Sequence, residues 1–198
     1  HRAHEYLLKC ALEMVDGLLA EAGVPLSGLD ALAFARGPGS FTGVRIAVAV
    51  AQGLAFGADL PVVPVSTLAG LAQGHHRREG VLRSLVAVDA RMGELYWGAY
   101  ELDRDGRMRL SGCEEVAPAA RVRLPSGVGW HGTGGGWEVS GDLLRGRLAD
   151  RLEAVEAGVV CEARDIATLA EADFRAGLAV APEQALPVYL RDRVTAVS

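Results

Sequence analysis

Residues 2–22 carry Leu7, Leu8, Ala11, Leu12, Val15, Leu18, Leu19 and Ala22 at helical spacing, with Glu5, Lys9, Glu13 and Asp16 opposite. Tyr6, Cys10 and Met14 widen the apolar stripe well past the roughly 100° that one core contact needs. The pattern predicts a helix ended by Gly23 and Pro25, with either a large core face or a second contact surface. Residues 29–35 form a short apolar run, the pattern of a strand buried on both faces. A glycine turn follows, and Thr42 is placed to cap a helix over residues 43–57. Residues 61–65 read as another strand, and Ser66 caps a helix running to about His75. Strand, helix, strand and helix in succession predict a parallel sheet flanked by helices.

Beyond Gly80 the pattern changes. Residues 82–89 and 95–102 read as strands joined by a polar turn, and Asp103-Arg104-Asp105-Gly106 makes a second turn into another strand. Residues 118–125 are irregular, and residues 127–133 read as a strand leading into the glycine cluster 132–136. Asp165 is placed to cap a helix over about 166–178, and the stretch 187–191 is extended. Two sub-domains are expected, residues 1–80 and 81–198. The pattern starts inside a helix at His1, so a preceding segment is also expected.

The helix after the glycine turn is the strongest physical signal. Val44, Ile46, Ala47, Val48, Ala49, Val50, Ala51, Leu54, Ala55 and Phe56 surround it, with Thr42, Arg45 and Gln52 as its polar side chains. A helix apolar on every side calls for cover on every side, from later chain or from a partner. Small residues such as Ala47 and Ala51 would let a partner helix approach closely.

Composition narrows the function classes. A formal charge of -5 on 198 residues argues against a protein that grips nucleic acid unaided. Three widely spaced cysteines form neither a zinc pair nor a disulfide framework and fit reduced thiols of a cytosolic protein. Arg45 and Gln52 interrupt the best candidate for a membrane span. Gly37, Gly39, Ser40, Thr42 and Gly43 lie between a strand and a helix N-terminus, where an anion such as phosphate is favoured. They match neither a P-loop nor G-x-G-x-x-G, and the glycines equally suit a tight turn. The cluster 132–136 divides the same way, between a phosphate loop and a flexible one. Asp89 at a strand end suits Mg²⁺, which with the two glycine-rich loops would make a nucleotide-dependent transferase or hydrolase, although Arg91 and Glu94 favour an ion network. No Ser-His-Asp or Cys-His spacing argues for a nucleophile.

The blocks Arg36-Gly37-Pro38-Gly39-Ser40-Phe41-Thr42-Gly43-Val44-Arg45-Ile46, Gln52-Gly53-Leu54-Ala55 and Val65-Ser66-Thr67-Leu68 closely resemble the bacterial TsaB (YeaZ) family. Asp89-Ala90-Arg91-Met92-Gly93-Glu94-Leu95-Tyr96-Trp97 and Pro187-Val188-Tyr189-Leu190-Arg191 resemble it too. The resemblance implies an α/β fold of the actin-like and Hsp70-like (ASKHA) ATPase type with two sub-domains, the N-terminal strands of the first being missing. It implies a non-catalytic scaffold in the synthesis of threonylcarbamoyladenosine in tRNA. The partners implied are the catalytic paralogue TsaD, the ATPase TsaE and, when alone, a second copy, with tRNA engaged indirectly and no membrane. The docking residues implied are His4, Leu7, Leu8, Ala11, Val44, Ala47, Val48, Val50, Ala51 and Leu54. No cofactor of its own is implied, ATP and metal being expected on the partner subunits. The paralogue's metal-binding His pair aligns with Thr67 and Leu71, so no metal site is expected.

Overall fold

The computed structural model describes residues 2–191, with side chains from residue 5 onward. The chain divides into two units, His1–Val65 with Ala170–Val188, and Ser66–Leu169 with Tyr189–Ser198.

In the first unit, α1 (Arg2–Ala22) is followed by β1 (Leu32–Ala35), α2 (Phe41–Ala58) and β2 (Val62–Val65). β1 and β2 pair in parallel, Leu32 beside Val62 and Ala35 beside Val65, as the strand–helix–strand pattern requires. α2 packs one side on this pair. Val44, Val48, Ala51 and Ala55 recur at helical spacing and are buried with Phe34, Leu60 and Val62. The later segment completes this core. Val180 bridges to Val62, Ala185 is fully buried, and Gln52 Nε2 donates to the carbonyls of Pro182 and Ala185 at 3.1 Å each.

The cap of α2 differs from expectation. Ser40, not Thr42, is the N-cap, its Oγ accepting from the Gly43 N–H at 3.1 Å, so the helix starts two residues earlier. Its other end closes on Asp59 in the left-handed region. At 18 residues and a mean hydropathy of 1.4, α2 is long and apolar enough to cross a membrane, despite Arg45 and Gln52. Its packing on β1 and β2 gives that composition another cause, the core of a folded unit.

The second unit contains α3 (Thr67–Glu79), β3 (Arg83–Asp89), β4 (Glu94–Leu102), β5 (Met108–Leu110), β6 (Glu115–Pro118), β7 (Trp130–Thr133), α4 (Gly136–Leu148) and β8 (Leu152–Glu156). α5 (Ala163–Arg175) begins there and ends in the first unit. The sheet order is β5-β4-β3-β7-β8, with β6 also on β4. β3 and β4 are antiparallel, as the hairpin pattern predicts, while β3, β7 and β8 run parallel. Alternation along β3 feeds both faces of the sheet. Leu85 and Ala87 join Trp97, Trp130, Trp137, Leu144 and Leu148 on the α4 side, and Val86 joins Leu68, Leu71, Ala72 and Tyr100 on the α3 side. α3 therefore packs on this sheet, although the pattern break near Gly80 set it before the division.

Asp165 is not a cap. It lies within the first turn of α5, 1% exposed, where Arg77 Nε and Nη2 reach its carboxylate at 2.7 and 3.0 Å.

Candidate partner-docking face

β1 delivers the chain to Arg36, whose N–H bonds the Val65 carbonyl and whose own carbonyl accepts from Val188, each at 2.8 Å. The turn beyond it is shaped by close packing. Gly37 has φ of 102°, and a Cβ there would stand 2.9 Å from the Val188 carbonyl oxygen. A Cβ on Gly43 would come 2.7 Å from Ser40 Oγ, so glycine is what lets the cap close. Ser40 thus spends its hydroxyl on the helix itself, and Arg45 lies 3.7 Å over the Phe41 ring.

The second glycine cluster has a plainer cause still. A Cβ at Gly132 would meet the Trp137 ring at 2.5 Å, and one at Gly136 would meet the Ala87 backbone at 2.8 Å. These glycines let α4 seat against β3, with Trp137 Nε1 donating to the Leu85 carbonyl at 3.0 Å. The cluster runs from the end of β7 through Gly134 and the N-cap Gly135 to the first residue of α4, and is packed rather than flexible. Asp89 turns inward on its own loop, accepting from the Arg91 N–H at 2.8 Å and pairing with its guanidinium at 3.3 Å. Glu94 pairs with Arg191 at 2.5 Å. Among the described residues no three His, Cys, Asp or Glu side chains are grouped to hold a metal, and Leu71, at one aligned metal position, is buried in the core.

One constellation escaped the sequence pattern. Ser84 Oγ lies 2.8 Å from His75 Nδ1, and His75 Nε2 lies 2.8 Å from Glu156. Its members come from β3, α3 and β8, so only the folded sheet brings them together. Ser84 and His75 are both fully buried, so a substrate cannot reach the hydroxyl. Burial pushes the His75 pKa down, against the opposing pull of the Glu156 carboxylate, and the neutral imidazole ties helix to sheet.

Among the described elements α1 exposes the most large apolar side chains, and the adjacent α2 adds Phe41 and Phe56. Tyr6, Leu7, Leu8, Leu12, Met14 and Leu18 of α1 are all exposed. Leu7, Ala11, Ala47, Val50 and Leu54 line an apolar cavity of about 360 Å³ shared with Leu32 and Phe34 of β1. Leu8 lines a second groove of about 420 Å³ with Glu5, Phe41, Thr42, Arg45, Ile46 and Ala49. Three expected docking residues are buried. Val44, Val48 and Ala51 lie in the unit's own core, on the side of α2 that meets β1, and Ala51 also lines the apolar cavity. The side chain of His4 lies outside the described residues.

The outward stripe of α2 is instead Phe41, Arg45, Ala49, Gly53 and Phe56, with both phenylalanines more than half exposed. Hydropathy gives no phase to a helix apolar all round. The polar Arg45, read as a marker of the solvent side, is the signal that would have found this stripe.

Two arginines of the second unit that could otherwise offer their charge to RNA are engaged within the chain. Arg77 is clamped by Asp165 and by Glu162 at 2.7 Å, which raises its pKa further. Arg83 donates to the Val128 carbonyl at 2.6 Å and pairs with Glu101 at 3.5 Å.

Known proteins give a consistent picture. Residues 1–132 match the family model described as TsaD, tRNA N6-adenosine threonylcarbamoyltransferase. The chain is 42% identical over 187 residues to the tRNA threonylcarbamoyladenosine biosynthesis protein TsaB of Escherichia coli, covering 92% of this chain and 80% of that one. The protein of the same name from Haemophilus influenzae is 53% identical over 89 residues, 45% of this chain and 38% of that one. A Pseudomonas aeruginosa crystal structure, described as an uncharacterized protein with similarity to peptidase YEAZ, superposes with a TM-score of 0.84. It is 49% identical, over 91% of this chain and 82% of that one.

Proposed function

Because the chain belongs to the TsaB (YeaZ) family of tRNA threonylcarbamoyladenosine biosynthesis proteins, we propose that it is a non-catalytic docking subunit whose α1–α2 face receives the catalytic paralogue TsaD. Its fold is that of the actin-like and Hsp70-like ATPases, and its role lies in the biosynthesis of this tRNA modification. The observation that carries the docking reading is the exposed apolar surface of two adjacent helices, in a unit that otherwise has its own buried core. Exposed apolar surface of this extent favours a partner over water.

The chemistry is assigned to the partner. What supports this is that Asp89 is bonded within its own loop, Ser40 caps α2, glycines of both turns serve close packing, and Ser84 and His75 are buried. ATP and metal then belong to TsaD and TsaE, this subunit carries no cofactor of its own, and the assembly works in the cytoplasm. Without TsaD, the same face would join two copies of this chain.

Ala49→Glu tests the reading. Ala49 is exposed, so the glutamate is solvated in the free subunit and desolvated only against a partner helix. Binding to TsaD should weaken by on the order of 2–5 kcal/mol, read by titration calorimetry, with the melting temperature of the free subunit unchanged. Undiminished affinity would move the interface off this face. Ala51→Glu is the contrasting control, since it places its charge in the core and should lower the melting temperature instead.

A further inference from the structure

A pocket of about 420 Å³ in the second unit plays no part in docking through α1 and α2. Trp97, Ala99 and Glu101 of β4 line it, with Ser111 and Cys113 on one wall and segment 123–126 on the other. Glu101 is held in place by Ser111 Oγ, which donates to Oε1 at 3.2 Å, and by Arg83 Nε, 3.5 Å from Oε2. Arg123 stands at the rim, exposed, with Nη1 3.1 Å from Cys113 Sγ and Nε 3.7 Å from Glu115.

The arginine-bearing wall continues past the pocket. Arg121 is exposed two residues away. Arg147 Nη1 and Nη2 donate to the Ala119 and Val122 carbonyls at 2.5 and 3.0 Å, and Arg151 donates to the Pro125 carbonyl at 3.1 Å. Four guanidinium groups therefore share one segment of a chain whose formal charge is -5, and two are fixed by main-chain carbonyls that leave their charge intact.

We infer that this strip and pocket hold RNA. The arginines contact successive phosphates of a single-stranded stretch, and one unstacked nucleotide places its base in the pocket. The Glu101 carboxylate is positioned to accept from an exocyclic amine or ring N–H of that base. The volume suits one nucleotide. The choice of RNA rests on the tRNA role proposed above. The contact is auxiliary, adding to whatever the partner supplies.

The test uses the full chain assembled with its catalytic paralogue and an unmodified tRNA transcript, titrated by fluorescence anisotropy from about 50 to 200 mM salt. Arg121→Ala/Arg123→Ala should weaken binding about tenfold at the low-salt end. It should flatten the log–log salt slope by about 1.4, at about 0.7 for each single-strand phosphate that the variant no longer neutralises. Bound tRNA should also slow alkylation of Cys113 by iodoacetamide, whereas AMP should not. Unchanged affinity and slope, or Cys113 alkylated equally fast with tRNA bound, would overturn the inference. Equal protection by AMP would overturn it too, making this a free-nucleotide pocket. The same readouts on the chain alone keep a failure of docking separate from a failure here.

Discussion

His75 shows how a residue that looks chemical can be structural. Its neighbours form a Ser–His–Glu line, yet nothing can reach Ser84, so the group's measurable property is its effect on stability. Burial lowers its folded pKa below the ordinary 6.5. The unfolded chain then binds the extra proton between the two values, and stability is fully present above pH 6.5 and falls as pH drops toward the folded pKa. Urea midpoints measured from about pH 7.5 to 5.5 should fall more steeply for the natural chain than for His75→Gln. Equal slopes would mean that the imidazole takes up its proton as readily in the fold as in the unfolded chain. His75 is readable in the sequence only as a histidine within a helix. Its partners are 9 and 81 residues away, and sheet pairing brings them together.

At the level of elements, the apolar pattern located α1, α2, α3, β1 to β4 and the first hairpin, with most boundaries within a few residues. It missed β6, α4 and β8. Gly134, the N-cap Gly135 and Gly136, the first residue of α4, read as loop because their packing depends on something not local, the approach of β3 at Ala87. Gly136→Ala should therefore destabilise the protein despite alanine's better helix propensity. The added Cβ has 2.8 Å to the β3 backbone, so a loss of about 1–3 kcal/mol is expected in chemical denaturation. A gain in stability would show that α4 stands off the sheet. The phase of α2 was lost for a related reason. Val44, Val48 and Ala51 look no different in hydropathy from Ala49 or Phe56, and only contact with β1 separates core from surface.

The whole molecule combines a family with transferase relatives and a set of candidate reactive groups that the fold has put to other uses. Glycine turns that suggested phosphate loops secure strand–helix packing, and the acidic strand end at Asp89 closes its own turn. The exposed apolar helices have no such internal use. A docking subunit accounts for both observations, since the surface that chemistry does not need is the surface a partner covers.

The most direct test is the mass of the species formed when this chain is mixed with TsaD at micromolar concentration, read by light scattering after size exclusion. The account predicts a stable heterocomplex with the natural chain and separate species with Ala49→Glu. Two unassociated proteins with the natural chain, or a complex indifferent to that charge, would contradict it.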